Sequence, residues 1–273
     1  MSEVVIPEAA RAGGRLRHRH MVSALLIRVG SVLFVLAVWA LLAAWTPAHL
    51  IPPPGKVLGQ AWQVMIDGSF AFHMVQTLRR VLIGFSVAML ISLPLGIAMG
   101  SVRWIEQFLE IEVVIGLTIP GLMWALVALI LFGLSELSAY FAIAVTILPM
   151  LVINIWQGMK AINRDLIDMS SVFHASTWSK VVDVLVPQLL SHIFAATRYG
   201  LGLAWKVVVL VEMFGYGNGI GYQVLQSYHL FAMDRVLTWT ITFTLVMLAL
   251  EYGVIGVLER RFTAWRPQVT VWR

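Results

Sequence analysis

Asp168–Pro187, DMSSVFHASTWSKVVDVLVP, is a polar segment set inside an otherwise apolar chain, and its reading decides the fold. The wider stretch from Gly158 to Pro187 carries Lys160, Arg164, Asp165, Asp168, Lys180 and Asp183. It holds no apolar run near the roughly 20 residues that a helix needs to cross a bilayer. Long hydrophobic stretches flank it on both sides. Its pattern reads as two short helices, with an acidic start at Asp168, a break at His174 and a Val186-Pro187 pair beyond. A helical loop of this size, held between spans, is suited to docking a soluble partner.

The composition around it fits a membrane chain. Hydrophobic residues make up 60% of the sequence and charged residues 12%, against roughly 25% charged in soluble domains; the mean hydropathy is +0.86. The absence of cysteine excludes structural disulfides, thiolate metal sites and a cysteine nucleophile. The N-terminus lacks the small-residue cleavage site of a secretory signal, and its first apolar run is long enough to span, so it reads as a retained helix. A net charge of +5 could suggest a nucleic-acid partner. However, Arg11, Arg15, Arg17 and Arg19 precede the first apolar stretch, and Arg260, Arg261, Arg266 and Arg273 follow the last. Basic clusters at membrane edges set topology, and no nucleic acid is expected.

Six stretches are long and apolar enough to span, at roughly 24–45, 75–100, 111–133, 138–157, 189–214 and 236–258. The expected fold class is therefore all-α, a polytopic membrane protein of about six transmembrane helices. An even number of spans puts both termini, the loop near Arg103 and the loop 158–187 on one side. Thirteen of the 19 Lys and Arg residues lie there, counting Arg28 at the start of the first span, and only Lys56 and Arg235 lie in the opposite loops. The positive-inside bias makes that crowded side cytoplasmic. The expected organisation is a basic cytoplasmic tail at 1–23, a transmembrane body at 24–258 and a cytoplasmic tail at 259–273. On the outer side, Ile51-Pro52-Pro53-Pro54-Gly55 cannot be helical, because prolines lack a donor and restrain their neighbours. Lys56 to Ile66 then reads as a short amphipathic helix, and the glycine-rich turn 215–221 leads into another.

Over roughly residues 30–267 the chain resembles the inner-membrane permease of type I ABC importers, within them the nitrate, sulfonate and taurine group. The matching stretches are Ile51-Pro52-Pro53-Pro54, Leu78-Arg79-Arg80-Val81-Leu82-Ile83-Gly84-Phe85, Leu131-Phe132-Gly133-Leu134-Ser135-Glu136-Leu137-Ser138, the Ala204-Trp205 and Val211-Glu212-Met213 pairs, and Leu258-Glu259-Arg260-Arg261. The opening segment resembles that family's EAA loop, which couples the permease to its ATPase. Asp168 stands where the family has glutamate, Met169 and Ser170 replace two alanines, and His174 replaces a glycine; Pro187 is in place. The family glycine turns the chain between two short helices, often with positive φ, and histidine accepts that backbone better than most residues.

The resemblance implies a transmembrane permease of an ATP-driven, binding-protein-dependent importer for a small anionic or zwitterionic solute. It implies a bundle of type I importer form with a cytoplasmic coupling helix in the bacterial inner membrane. The implied partners are two cytoplasmic ATP-binding subunits, a second permease subunit (a copy of this chain or a different one), a periplasmic or lipid-anchored solute-binding protein, and membrane lipid. No cofactor is expected on this chain; ATP and Mg belong to the ATPase subunits. Pyrimidine vitamin precursors are an alternative solute, since similar permeases carry them.

Two sets of residues are candidate sites. In the coupling loop, Asp168, Val172, Phe173, His174, Ala175, Ser176 and Trp178 would present an amphipathic helix to a groove on the ATPase; the plainer reading is a helix lying along lipid headgroups. In the fifth span, Arg198, Gly202, Trp205, Val209 and Glu212 fall on one face at 100° per residue, with Lys206 on its flank. Ionisable groups at membrane depth face the bundle interior, paired or lining a wet path. Lys206, Trp205, Gly202, Arg198 and Glu212 are thus candidate walls of the translocation path, and Arg80 and Glu251 candidate structural ion-pair partners. Arg198 and Glu212 lie about 21 Å apart along the axis, too far to pair. Lys206 alone falls where the family has no common charge, which suits a solute-specific role.

Other chemistries find no support in the residues. Gly84-Phe85-Ser86 lacks the second glycine of a nucleophile elbow, and the seven histidines form no metal-binding spacing. No phosphate-binding loop occurs, so ATP hydrolysis is expected on another chain. An intramembrane enzyme, the rival class, would need a nucleophile and base converging within the spans. Tryptophans such as Trp45, Trp104, Trp156 and Trp265 fall near span ends, as an aromatic belt would.

Overall fold

The computed structural model describes residues 8–214, 216–257 and 261, all of them helix, turn or connection. The helices run in the order α1 (Glu8–Trp45), α2 (Pro54–Ile66), α3 (Ser69–Ser101), α4 (Arg103–Thr118), α5 (Gly121–Phe132), α6 (Glu136–Lys160), α7 (Arg164–Val172), α8 (Thr177–Ser179), α9 (Val186–Met213), α10 (Ile220–His229) and α11 (Met233–Leu250). A π-helical turn, Lys180–Leu185, joins α8 to α9, so Thr177–Met213 is one continuous helix. Among the described residues five helices are long and apolar enough to cross a membrane, Leu26–Trp45, Ser69–Ser101, Glu136–Lys160, Thr177–Met213 and Met233–Gly253, and the bent pair α4–α5 passes the same test together, which makes up to six.

The third expected span, 111–133, is present as a bent pair of helices. It is not one rod: α4 begins at Arg103 and meets α5 at a 95° bend. Pro120 supplies no N–H to continue the helix and drives Ile119 to extended backbone, φ −77° and ψ 119°. The loop 158–187 is also shorter than its polarity suggests, because helix resumes at Thr177. The basic tail expected at 1–23 is continuous with the first span from Glu8 on, and the tail 259–273 lies outside the described residues apart from Arg261.

α6 is the central helix. Of its apolar window 61% is buried, against 28% in α3 and in the α8–α9 span. Small residues let neighbours approach, as they do between helices in lipid. A Cβ on Gly84 or Gly96 of α3 would lie 2.8 and 2.7 Å from the Cβ atoms of Ile143 and Ile155 on α6. Ala125 and Ala128 of α5 and Ala196 and Ala204 of α9 fill the same fully buried layer with Ile147 and Leu151. α1 stands apart, with none of its apolar window buried. Trp39 ties it to the segment before α2, its Nε1 donating to the Pro52 carbonyl at 3.1 Å.

Two ends of the bundle result. One gathers α2, α10 and the start of α11, where Lys56 pairs with Asp234 at 2.8 Å and Gln60 donates to the same carboxylate. The other gathers the turn at Val102, the end of α6, and α7–α8. Just before α3, the exposed Asp67 accepts from the Ser69 N–H at 2.9 Å and the Ser69 hydroxyl at 2.7 Å, and these bonds hold its carboxyl below the ordinary carboxylate pKa.

Candidate functional site

The loop quoted first folds as two capped helices around a tight reversal. Asn163 caps α7 by accepting from the Asp165 N–H at 2.9 Å, and Ser176 caps α8 by accepting from the Ser179 N–H at 3.1 Å. Between them the Ala175 N–H donates to the Ser170 carbonyl at 2.9 Å and the His174 N–H to the Ser171 carbonyl at 3.0 Å. These two bonds form a Schellman motif, which needs a left-handed residue at the position after the cap. His174 occupies it with φ 52°. Lys180 clips the second helix to the first through its bond to the Ser171 hydroxyl at 2.9 Å. The reversal pushes apolar side chains outward: Val172, Phe173 and Trp178 are 75%, 76% and 75% exposed. Asp168, His174 and Ser176 are exposed beside them, and Ala175 is half-buried.

The polar face of α9 divides in two. Arg198, Gly202 and Lys206 open onto a cavity of about 450 Å³, closed by Leu117 of α4, Met150 of α6, Tyr199, Leu203 and Glu251. Glu251 sits at the π-helical end of α11 and accepts from Arg198 Nε at 3.2 Å. Lys206 is exposed to this space and makes no ion pair or hydrogen bond among the described residues.

Trp205 and Glu212, from the same expected face, lie elsewhere. Trp205 packs edge-on against Phe243 of α11, ring centroids 6.3 Å apart. Glu212 is fully buried and accepts from Arg80 Nη1 at 2.8 Å, the Thr77 hydroxyl at 2.9 Å and the Gly221 N–H at 2.9 Å. These two side chains therefore lie apart from the cavity that Arg198, Gly202 and Lys206 line. Side-chain direction on a helix does not say which neighbour fills the space, and here α11 and α3 fill it.

The Glu212 cluster closes the first end of the bundle. Arg80, also fully buried, donates to Glu136 from Nε at 3.0 Å and Nη2 at 2.7 Å, and to the Asn218 side chain at 2.6 Å. Its guanidinium lies 4.3 Å above the Tyr216 ring. Tyr216 donates to the Ser135 carbonyl and accepts from the Ala139 N–H at 3.2 Å, and burial pushes its hydroxyl pKa up. Gly219, at φ 104°, presses so closely on the Glu212 carboxylate that no Cβ would fit. His73 accepts from the Gly219 N–H at 3.1 Å. The reading of residues alone missed Thr77, Glu136, Asn218 and His73; the one available signal was Arg79-Arg80 inside a span, which demands counter-charge nearby.

Comparison with known proteins agrees with this architecture. Residues 92–263 match the family described as binding-protein-dependent transport system inner membrane component. The nitrate import permease protein NrtB of Synechocystis is 29% identical, over 88% of this chain and 87% of its own length. The taurine transport system permease protein TauC of Escherichia coli is 26% identical, over 89% and 90%. Among solved structures, the MetNI methionine ABC transporter in inward-facing conformations superposes with a TM-score of 0.59 at 18% identity, over 70% of this chain and 94% of that one, a likeness of fold. The spans, the capped loop and the family match lead to one assignment: the chain belongs to the inner-membrane components of binding-protein-dependent transport systems, and is a multi-pass ABC importer permease.

Proposed function

We propose that this permease carries a small anionic or zwitterionic solute inward, driven by ATP hydrolysis on two separate ATP-binding subunits that hold ATP and Mg. Both termini and the α7–α8 loop face the cytoplasm, and the end holding α2 and α10 faces the solute-binding protein. A second permease subunit, a copy of this chain or a different one, completes the path. The nitrate and taurine relatives make sulfonate-, nitrate- or taurine-like solutes the leading class.

The observation that carries this reading is the ridge of Val172, Phe173 and Trp178, which exposes three large apolar side chains at one end of a membrane bundle. Such a ridge is costly in water and matches an apolar groove on a soluble partner. When the ATPases close on ATP they pull on this loop, and because α8 runs unbroken into α9, displacement passes along one rod to Arg198, Gly202 and Lys206. Lys206 then supplies an unpaired cation to the solute's negative group, in a cavity whose other charges, Arg198 and Glu251, satisfy each other.

The test replaces Phe173 with Asp. Buried aromatic anchors typically cost about 2 kcal/mol or more on truncation, and a desolvated carboxylate costs more. Solute-stimulated ATP hydrolysis should disappear while the chain still inserts and keeps its unfolding midpoint. Coupling at the parent level would show that another loop makes the contact.

A further inference from the structure

At the same end as α7, the turn between α3 and α4 and the end of α6 enclose a second cavity, of about 380 Å³, that the transport reading leaves unused. Ser101, Arg103, Glu106, Lys160, Arg164 and Ile167 line it. Three of these are cations and one is an acid. Glu106 is ion-paired to Lys160, whose ammonium also lies 4.5 Å over the Trp156 ring. Arg103 and Arg164 are exposed and form no ion pair among the described residues. Each is also the first residue of its helix, α4 and α7. Two guanidiniums without an ion pair among the described residues thus face one cavity.

The position fixes the kind of anion. The cavity lies where two spans, α3 and α6, end, the level of the lipid headgroups. Beside Arg103 an apolar stripe descends α4 through Trp104, Phe108, Ile111 and Ile115, which are 68%, 67%, 66% and 54% exposed. A polar, cationic cup with an apolar stripe leading away from its rim matches an amphiphile. It does not match a free ion. We propose that this pocket binds the phosphate of an anionic glycerophospholipid, held by Arg103 and Arg164, with the acyl chains along α4. Basic pockets between helix ends are a recognised way of holding anionic headgroups. Occupied, the site would tie α7 to the α3–α4 turn, and so set the rest position of the loop that carries Phe173.

The experiment takes the full-length chain in a neutral detergent and counts bound lipid by native mass spectrometry, with phosphatidylglycerol and phosphatidylcholine as probes. The parent should retain phosphatidylglycerol preferentially. Two cations near an anionic surface together contribute about thirty-fold, so Arg103→Gln/Arg164→Gln should lose about that factor and Arg103→Lys/Arg164→Lys should keep most of it. Both positions are exposed, and an unchanged unfolding midpoint would separate lost binding from lost fold. Equal retention of phosphatidylglycerol by the Gln/Gln variant would overturn the proposal. So would displacement of the lipid by millimolar inorganic phosphate, which would mark a free-anion site. Loss of ATP-binding-subunit association with unchanged lipid counts would also overturn it, and would reassign the pocket to the partner subunit.

Discussion

Replacing Glu212 with Ala should be the most damaging single change in the bundle. The side chains of Arg80 and Glu212 are 1% and 0% exposed, and their N···O distance is 2.8 Å. Removing the carboxylate strands three donors at once. Thr77 can fall back on the His73 carbonyl at 3.2 Å, and Arg80 keeps Glu136 and Asn218. The Gly221 N–H keeps nothing. Breaking a buried pair by deleting one partner costs about 3–5 kcal/mol, and an orphaned buried N–H about 1–3 kcal/mol. Because Arg80 retains Glu136, the expected total is about 4 kcal/mol. Glu212→Gln should cost less, since the amide oxygen still serves one donor while its NH2 must face another. Arg80→Met combined with Glu212→Met should cost clearly less than the two single changes added together, because no unpaired charge remains and Glu136 still has Arg79 at 3.2 Å. The assay is urea or SDS titration of the detergent-purified protein, followed by tryptophan fluorescence, with a double-mutant cycle. A Glu212→Ala protein within about 1 kcal/mol of the parent, or a strictly additive cycle, would refute the reasoning.

Lys206→Met keeps the side-chain length and removes the charge from the mid-bundle cavity. A charge-assisted contact to solute contributes about 1.5–3 kcal/mol, so uptake should fall about ten-fold or more, with assembly and basal ATP hydrolysis intact, and Lys206→Arg should retain part of the activity. A Lys206→Met protein that transports normally but falls apart in detergent would make the residue a structural partner. At His174, φ 52° tolerates glycine and strongly disfavours a β-branched side chain. His174→Gly should therefore leave coupling unchanged, and His174→Val should lower solute-stimulated ATP hydrolysis; parent-level coupling in the valine variant would dissociate the turn from function.

How much of this was legible in the chain differs from residue to residue. The order of spans and the short helices α2 and α10 followed from apolar run length and turn residues, which are local physics, but Pro54 and Gly55, expected to be non-helical, open α2, because a proline at the first helical position gives up only an N–H that has no partner there. The bend after Ile119 was also written locally, in Pro120, but apolar content on both sides hid it. The positive φ at His174 was readable only through the resemblance that places a glycine there. The matching left-handed Phe231, φ 54°, had no such guide. Least legible was the Arg80 cluster, whose members Thr77, Glu136, Glu212 and Asn218 come together across gaps of up to 138 residues. A helical wheel gives the direction of Glu212 but not the identity of what lies there. For the same reason it grouped Trp205 with Lys206, although one packs on Phe243 and the other faces a cavity.

The central claim is that this chain moves solute only when an ATP-hydrolysing partner drives it through the Val172–Trp178 ridge. The measurement that tests it most directly is solute uptake into proteoliposomes holding the full-length chain with its ATP-binding subunit, supplied externally with the solute-binding protein. Uptake should need all three components and internal ATP, and Phe173→Asp should abolish it. Uptake by the chain alone, or ATP-independent uptake unaffected by Phe173→Asp, would contradict it.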